Sequence, residues 1–155
     1  MGSGPLSKAE ERVHDKSHVQ WETFPHDADV GVRGHGATAG EAFANAAAAM
    51  MSVVVDLGTV RPIKRVPIHC VAPDLETLLI DWLNAIVLEM SAEDLLFSRF
   101  EAEVLGRELA GAAWGEPLDL ARHQPAVEVK GATYTAVEVG QDANGRWRAQ
   151  CVVDV

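Results

Sequence analysis

The sequence has few cysteines and no long apolar run. Cys70 and Cys151 show neither CxxC spacing nor the even, clustered count of a disulfide framework, so we expect two buried free thiols in a reducing compartment. No apolar run approaches the roughly 20 residues that a membrane span needs. The N-terminal region also lacks the apolar segment of a signal peptide. We therefore expect a cytoplasmic protein that does not associate with a membrane.

Basic residues are scarce as well. The chain has 13 Lys and Arg residues against 23 Asp and Glu residues, which gives a formal net charge of −10 and a pI near 4.9. Such a charge repels phosphate backbones, so direct, tight nucleic-acid binding is not expected unless the basic residues cluster. The balance suits cations or a basic protein partner better.

Apolar residues, in contrast, are plentiful. They make up 48% of the 155 residues, enough for one globular domain with a substantial core. Residues 1–18 are polar, charged and aperiodic, and we expect a disordered extension whose Met-Gly-Ser-Gly start could come from an expression vector. The domain is predicted to occupy residues 19–155.

Hydrophobic periodicity predicts seven strands and two helices. Thr38 and Glu41 have the spacing of a capping box ahead of an Ala-rich helix over 41–55, and Asp74 is the expected N-cap of a helix over 75–90. The strands are predicted at 19–26, 30–35, 61–72, 96–105, 108–114, 126–139 and 146–155. The order β-β-α-β-α-β-β-β-β describes a single α+β domain, with a largely antiparallel or mixed sheet and two helices packed on one face.

Carboxylates stand near both ends of the predicted domain. Asp27 and Asp29 lie in a compact acidic turn, and Asp154 ends the apolar run that begins at Cys151. An unpaired carboxylate is costly to remove from water, so an Asp in such a strand should have a partner. If the fold joins the two ends, Asp29, Asp154 and a main-chain oxygen of Val155 could bind Ca²⁺, Mg²⁺ or Mn²⁺.

Other interpretations of these carboxylates stay open. An Asp-x-Asp in a loop is often a capping or solvated feature. Pairing about the predicted Asn144–Gly145 turn places Asp154 opposite residues 125–128, with Lys130 slightly further along, so an Asp154–Lys130 ion pair is an alternative. Zinc is disfavoured because the six histidines are scattered, and no motif for nucleophilic catalysis is present.

The acidic turn is also where the sequence resembles a known family. Residues 26–32, His-Asp-Ala-Asp-Val-Gly-Val, are similar to the H-T-A-D-[IV]-G signature of the archease family. The resemblance continues through further segments, namely Thr38–Phe43, Leu78–Asn84, Gly115–Pro117, His123, Val129–Tyr134 and Trp147–Val155. It departs from the family pattern at Asp27, where Thr is usual, and at Gly131, where Ala is usual.

The resemblance implies a cytoplasmic protein that activates an RtcB-type tRNA ligase. Archeases promote guanylylation of that ligase and its multiple turnover in tRNA splicing, and have no catalytic residues of their own for ligation. The resemblance implies a divalent cation, with calcium favoured, at Asp29, Asp154 and Val155. It matches Lys130 to a functionally important lysine, and His26, Asp27 and Lys130 could face the partner or support the metal ligands.

Two functions of other classes compete with this one. A metal-dependent phosphoester hydrolase could use Asp29 and Asp154, with His26 as its only convincing general base. A chaperone-like module would need a large exposed apolar patch, whereas the apolar stripes of this sequence look committed to the core.

Overall fold

The computed structural model describes residues 19–155, so the predicted disordered extension over residues 1–18 lies outside the described residues. Seven strands and two long helices follow one another in the predicted order, with one short extra α-helix and a single 3-10 turn at Leu57–Thr59. Their bounds are β1 Trp21–His26, β2 Asp29–Gly36, α1 Ala39–Val54, β3 Lys64–Val71, α2 Leu75–Glu93, β4 Leu95–Leu105, β5 Glu108–Pro117, α3 Leu120–His123, β6 Gly131–Gln141 and β7 Trp147–Asp154. The predicted α+β class is confirmed.

Both long helices begin at the predicted caps. Thr38 Oγ1 accepts a hydrogen bond from the Glu41 N–H at 3.1 Å, which is one half of the predicted capping box. Glu41 Oε1 accepts from the N–H of Ala37, one residue before the cap, at 3.2 Å. Asp74 Oδ1 accepts a hydrogen bond from the Thr77 N–H at 2.7 Å. The bonds to Thr38 and Asp74 satisfy backbone donors that the first turn of a helix leaves unpaired.

The strands form two antiparallel sheets, a division that the sequence does not indicate. One sheet has the order β1-β2-β7-β6 and the other the order β3-β5-β4. Pro67 lies in β3, an edge strand, as the missing N–H of proline predicts.

Helix α1 lies against both sheets. A Cβ on Gly34 of β2 would lie 2.1 Å from the Ala42 carbonyl oxygen, and a Cβ on Gly40 would lie 2.2 Å from that of Ala102 in β4. Only glycine allows so close an approach of two backbones. Trp82 of α2 is fully buried, and its Nε1–H donates to the Phe43 carbonyl oxygen at 2.9 Å, which joins the two helices in one core.

The last hairpin, β6–β7, positions the end of the chain. The tight turn sets Gln141 opposite Trp147, and an irregular stretch between Thr133 and Glu138 shifts the register before Gly131 meets Asp154. The predicted pairing of Asp154 with residues 125–128 was wrong: the register set at the turn would place Asp154 opposite residue 134, and the irregular stretch shifts it by only three residues, to Gly131. Among residues 19–155, no helix combines the length and apolar character that a bilayer span requires.

Candidate functional site

The pairing of β1, β2 and β7 brings the two predicted carboxylate sites together. His26 pairs with Asp29 across β1 and β2, and Val30 pairs with Val153 across β2 and β7. Continuing the second register by one residue sets Asp29 opposite Asp154. Directly opposite residues of antiparallel strands present their side chains on the same face. His26, Asp29 and Asp154 therefore form a row at one end of the four-stranded sheet.

This row lies on the face of the sheet that points away from helix α1. Val32 is fully buried and Gly34 approaches α1 closely, so the even-numbered positions of β2 face the helix. Side chains alternate between the two faces of a strand, which places Asp29 on the other face. Asp154 is exposed and Asp29 is half-buried. The row is therefore accessible to solvent and to a partner.

Main-chain contacts draw the end of the chain to the row. Asp29 Oδ1 accepts a hydrogen bond from the Val155 N–H at 3.3 Å, and the Lys130 N–H donates to the Asp154 carbonyl oxygen at 2.8 Å. The structure therefore brings Asp29, Asp154, Val155 and Lys130 together, although they come from distant parts of the sequence. The assignment of a metal to them stays a prediction.

Within residues 19–155, neither Asp29 nor Asp154 forms an ion pair with another side chain. The alternative Asp154–Lys130 ion pair is thus not formed, and Lys130 is exposed. Like charges directly opposite each other on a sheet are destabilising. Two adjacent carboxylates with no protein cation between them are suited to binding a cation from solution.

His26 and Asp27 occupy the edge of this arrangement. His26 Nδ1 lies 3.9 Å from Asp27 Oδ2, and the Asp27 side chain is 93% exposed. Asp27 has φ of 53°, a left-handed turn conformation in which Asp is among the more frequent non-glycine residues. The Asp27 carboxylate therefore belongs to the turn, whereas His26 shares the row with Asp29.

The donor set suits a hard divalent cation. Asp29, Asp154 and a main-chain oxygen of Val155 offer the oxygen ligands that Ca²⁺, Mg²⁺ and Mn²⁺ prefer, and water would complete the shell. In the described part of the chain, no three His, Cys, Asp or Glu side chains form a group that could hold a metal. A cation here would therefore depend on main-chain oxygen in addition to the two carboxylates.

A second carboxylate centre, at Glu116, was noticed in the sequence only through the family resemblance. The Glu116 side chain is 2% exposed. Its Oε2 accepts from the Arg61 N–H at 2.8 Å and contacts His123 Nε2 at 2.9 Å, while Oε1 contacts Arg61 Nε at 3.1 Å and Arg122 Nη2 at 2.8 Å. Because His123 Nδ1 accepts from the Asp119 N–H, the proton is on Nε2 and is donated to Glu116.

These donors change the acidity of Glu116. The hydrogen bonds from the Arg122 guanidinium and the Arg61 backbone N–H hold the pKa of Glu116 well below its usual range. The same contact with Glu116 raises the pKa of Arg122. The cluster ties the segment after β5 to the residues preceding β3. Glu116 could have been identified by the same sequence feature as Asp154, because it is also a carboxylate at the end of an apolar strand.

Comparisons with known proteins identify the family of this chain. The sequence profile of the Archease protein family (MTH1598/TM1083) matches residues 21–155. The protein named archease from Pyrococcus furiosus is 35% identical over 140 residues, which cover 88% of this chain and 99% of that protein. The protein of the same name from Methanopyrus kandleri is 37% identical over 141 residues, covering 88% of this chain and all 100% of that protein.

Two solved structures share the fold. The solution structure of protein 1598 from Methanobacterium thermoautotrophicum aligns with a TM-score of 0.77 and 29% identity, covering 88% of this chain and 99% of that one. A crystal structure from Thermotoga maritima, described as an archease and possible chaperone, aligns with a TM-score of 0.54 and 18% identity over 85% of this chain and 94% of that one. The second likeness supports the fold alone. On the profile match and the relatives together, this chain belongs to the archease family.

Proposed function

We propose that this protein is a non-catalytic activator of an RtcB-type RNA ligase, which promotes guanylylation of the ligase and its multiple turnover in tRNA splicing or RNA repair. Membership of the archease family supports this function. The observation that carries it is the pair Asp29 and Asp154, two adjacent carboxylates on an open face without a protein cation.

A divalent cation is the natural partner of this pair. Asp29, Asp154 and Val155 would hold it, and the charge of the ion would offset the repulsion between the two carboxylates. Calcium is favoured because it accepts flexible oxygen shells that include main-chain oxygen, and Mg²⁺ or Mn²⁺ are the alternatives. When bound, such an ion supplies positive charge that can polarise a phosphate.

The position of the site suits docking to a ligase. The row lies at an exposed end of the sheet, and Lys130, whose backbone N–H donates to the Asp154 carbonyl oxygen, has an exposed side chain that a partner can contact. His26 lies in the same row on the other side of Asp29. The net charge of −10 would steer this protein towards the basic cleft of an RNA-binding enzyme and away from tight binding of free nucleic acid.

A reconstituted ligation assay tests the proposal. The cognate ligase is mixed with RNA carrying a 2′,3′-cyclic phosphate, GTP and a divalent metal, with and without this protein. We expect multiple turnovers only when the protein is present, and none with Asp154→Ala, because that variant lacks one of two metal-binding carboxylates. Stimulation by Asp154→Ala equal to that of the native chain would reject the site.

Asp81→Ala is the matched control for this assay. Asp81 is an exposed aspartate on helix α2 and is not in the row. Its substitution removes the same charge and should leave stimulation unchanged. Circular dichroism and thermal melting of both variants verify that each is folded.

A metal-dependent phosphoester hydrolase is the second candidate, because His26 lies directly opposite Asp29 and could act as a general base. This function predicts that the isolated protein hydrolyses a simple phosphoester when a divalent metal is added, and that His26→Gln abolishes the activity. A rate no higher than that of the metal alone rejects this candidate and leaves ligase activation standing.

A further inference from the structure

The outer face of the three-stranded sheet carries an arginine–tryptophan cluster. Arg65 of β3 and Arg99 of β4 both pair with Trp114 of the central strand β5. The Arg99 guanidinium lies 4.4 Å from the centroid of the Trp114 ring, and that of Arg65 lies 5.7 Å from it. Both contacts are within the range of cation–π interactions, so the two guanidinium groups are held beside the ring.

Further basic residues continue this cluster. Glu116 stands two residues after Trp114 on β5, and its carboxylate holds the Arg61 and Arg122 guanidinium groups. The Arg61 side chain remains 67% exposed and the Arg122 side chain 38% exposed. Four of the chain's 13 basic residues therefore lie on or beside this end of the outer face. We name the basic–aromatic patch by its members, Arg61, Arg65, Arg99, Arg122 and Trp114.

The patch has more positive than negative charge, in contrast to the whole chain. Glu116, Asp119 and Glu101 are the carboxylates that form ion pairs with its arginines, with Arg99 Nη2 lying 2.5 Å from Glu101. Within the described residues, Arg65 forms no ion pair. Its guanidinium is therefore available to an anionic ligand.

A depression of about 620 Å³ adjoins Trp114 on the same face. Its floor contains Ala110 and Ala112, whose small side chains leave room beside the ring. Glu101 and Glu103 on β4 form part of one wall, where carboxylate oxygens can accept hydrogen bonds from amino groups. A planar group with exocyclic amines fits this combination of an apolar floor and acidic wall.

From these features we infer that the basic–aromatic patch and its adjoining depression bind a short single-stranded RNA segment, with a phosphate on the arginines and a base in the depression. Guanidinium groups bind phosphate through forked hydrogen bonds, and bases stack on aromatic and guanidinium planes. The choice of RNA rather than DNA rests on the proposed function. The site lies on a different sheet from Asp29 and Asp154.

The surroundings of the patch limit the length of the bound strand. Glu101, Glu103 and Glu108 follow along the same face and would repel further phosphates. The footprint is therefore one or two nucleotides, and binding is weak and sensitive to salt. This agrees with the expectation from composition that tight nucleic-acid binding does not occur. An acidic peptide would make the same charge contacts but has no base for the depression.

The test measures binding of a fluorescently labelled, unstructured RNA of eight nucleotides to the intact isolated protein by anisotropy at low salt. We expect Arg65→Gln to weaken binding about five-fold and Trp114→Leu to weaken it about ten-fold or more, in line with the cost of losing a stacked base. The logarithm of affinity should fall with the logarithm of salt concentration with a slope between about −0.7 and −1.4, as for one or two neutralised phosphates of a single strand.

Arg107→Gln is the matched control, since Arg107 is an exposed arginine in the turn at the opposite end of the same sheet. It should not change affinity. Equal weakening by Arg65→Gln and Arg107→Gln, or no binding by the native chain, overturns the inference. Competition by a polyglutamate peptide as strong as that by unlabelled RNA also overturns it, in favour of an acidic protein partner.

The ligation assay separates this inference from the proposed function. If the protein binds no RNA but still stimulates the ligase, the inference about the patch is rejected and the proposed ligase activation stands. If the protein binds RNA through Arg65 and Trp114 but never stimulates the ligase, the proposed ligase activation is rejected and the inference about the patch stands. Melting curves of both patch variants establish that they are folded.

Discussion

The carboxylate at Glu116 and the pair at Asp29 and Asp154 have opposite surroundings. Both centres lie at strand ends that follow apolar residues. Glu116 is 2% exposed and is contacted by Arg61, Arg122 and His123. Asp154 is exposed and has no ion-pair partner among the described residues. The Glu116 centre is neutralised by cations of the protein itself. The pair Asp29 and Asp154, which we call the open centre, has no such cation among the described residues.

The difference follows from the cost of removing a charge from water. A buried carboxylate without partners would be strongly destabilising, so the fold must supply its hydrogen bonds and cations. An exposed carboxylate keeps its hydration and can exchange water for a ligand. Glu116 is therefore expected to contribute to stability, and Asp29 and Asp154 to binding.

Substitution of Glu116 should give the largest effect on stability. Glu116→Gln keeps the shape of the side chain but leaves the Arg61 and Arg122 cations without their counter-charge. We expect the melting temperature, measured by circular dichroism at pH 7, to fall by roughly 10 °C. Asp154→Asn removes the same charge from the open centre and should leave the melting temperature equal or slightly higher, because it relieves repulsion from Asp29. Similar losses in both variants would abolish the distinction between the two centres.

Lowering the pH should reveal the contribution of Glu116 to stability. The pKa of Glu116 is depressed in the folded state, so below the ordinary value of 4.5 the unfolded chain binds more protons at this residue than the folded chain. The contribution of Glu116 is fully present above pH 4.5 and is lost as the pH falls towards the folded pKa. Urea unfolding at pH 3 to 7 should show this loss in the native chain and a shallower dependence in Glu116→Gln. Parallel curves for the two proteins would contradict the assignment.

Calcium should stabilise the native chain through the open centre. A ligand that binds only the folded state at 100 times its dissociation constant adds about 2.7 kcal/mol to the free energy of unfolding. We expect a calcium-dependent rise in melting temperature that disappears in Asp29→Asn and in Asp154→Asn. Asp81→Asn serves as the control and should keep the rise. A rise that persists without Asp154 would place the ion elsewhere.

Asp27 should show the smallest effect, because its side chain is 93% exposed. Asp27→Asn retains a residue that tolerates the left-handed conformation and removes only the charge, so stability should be unchanged and calcium affinity should fall about two-fold or less. Asp27→Thr places a β-branched residue at φ of 53° and should lower the free energy of unfolding by about 1 kcal/mol. Thermal melting and calcium titration measure both. A ten-fold loss of calcium affinity in Asp27→Asn would make Asp27 a ligand.

Local sequence patterns predicted much of this protein because they act over a few residues. The N-cap at Thr38 and the apolar repeat of helix α2 need only neighbouring side chains, and both are confirmed. The apolar run that ends at Asp154 likewise indicated a carboxylate in need of a partner. The structure brings Asp154 beside Asp29, as predicted, although the pairing with β6 was predicted at the wrong residues. The cation between them stays a prediction.

Long-range packing decided the rest. Nothing in the order of the strands separates seven strands into sheets of four and three, because that division depends on where helix α1 packs between β2 and β4. Glu116 and Asp154 both end apolar strands, and only the fold brings Arg61 to one and leaves the other facing solvent. Residues 55 positions apart in sequence meet at Glu116, and the contact between Asp29 and Val155 spans 126 positions. Contacts over such distances are set by tertiary packing and sheet register, which a local pattern does not contain.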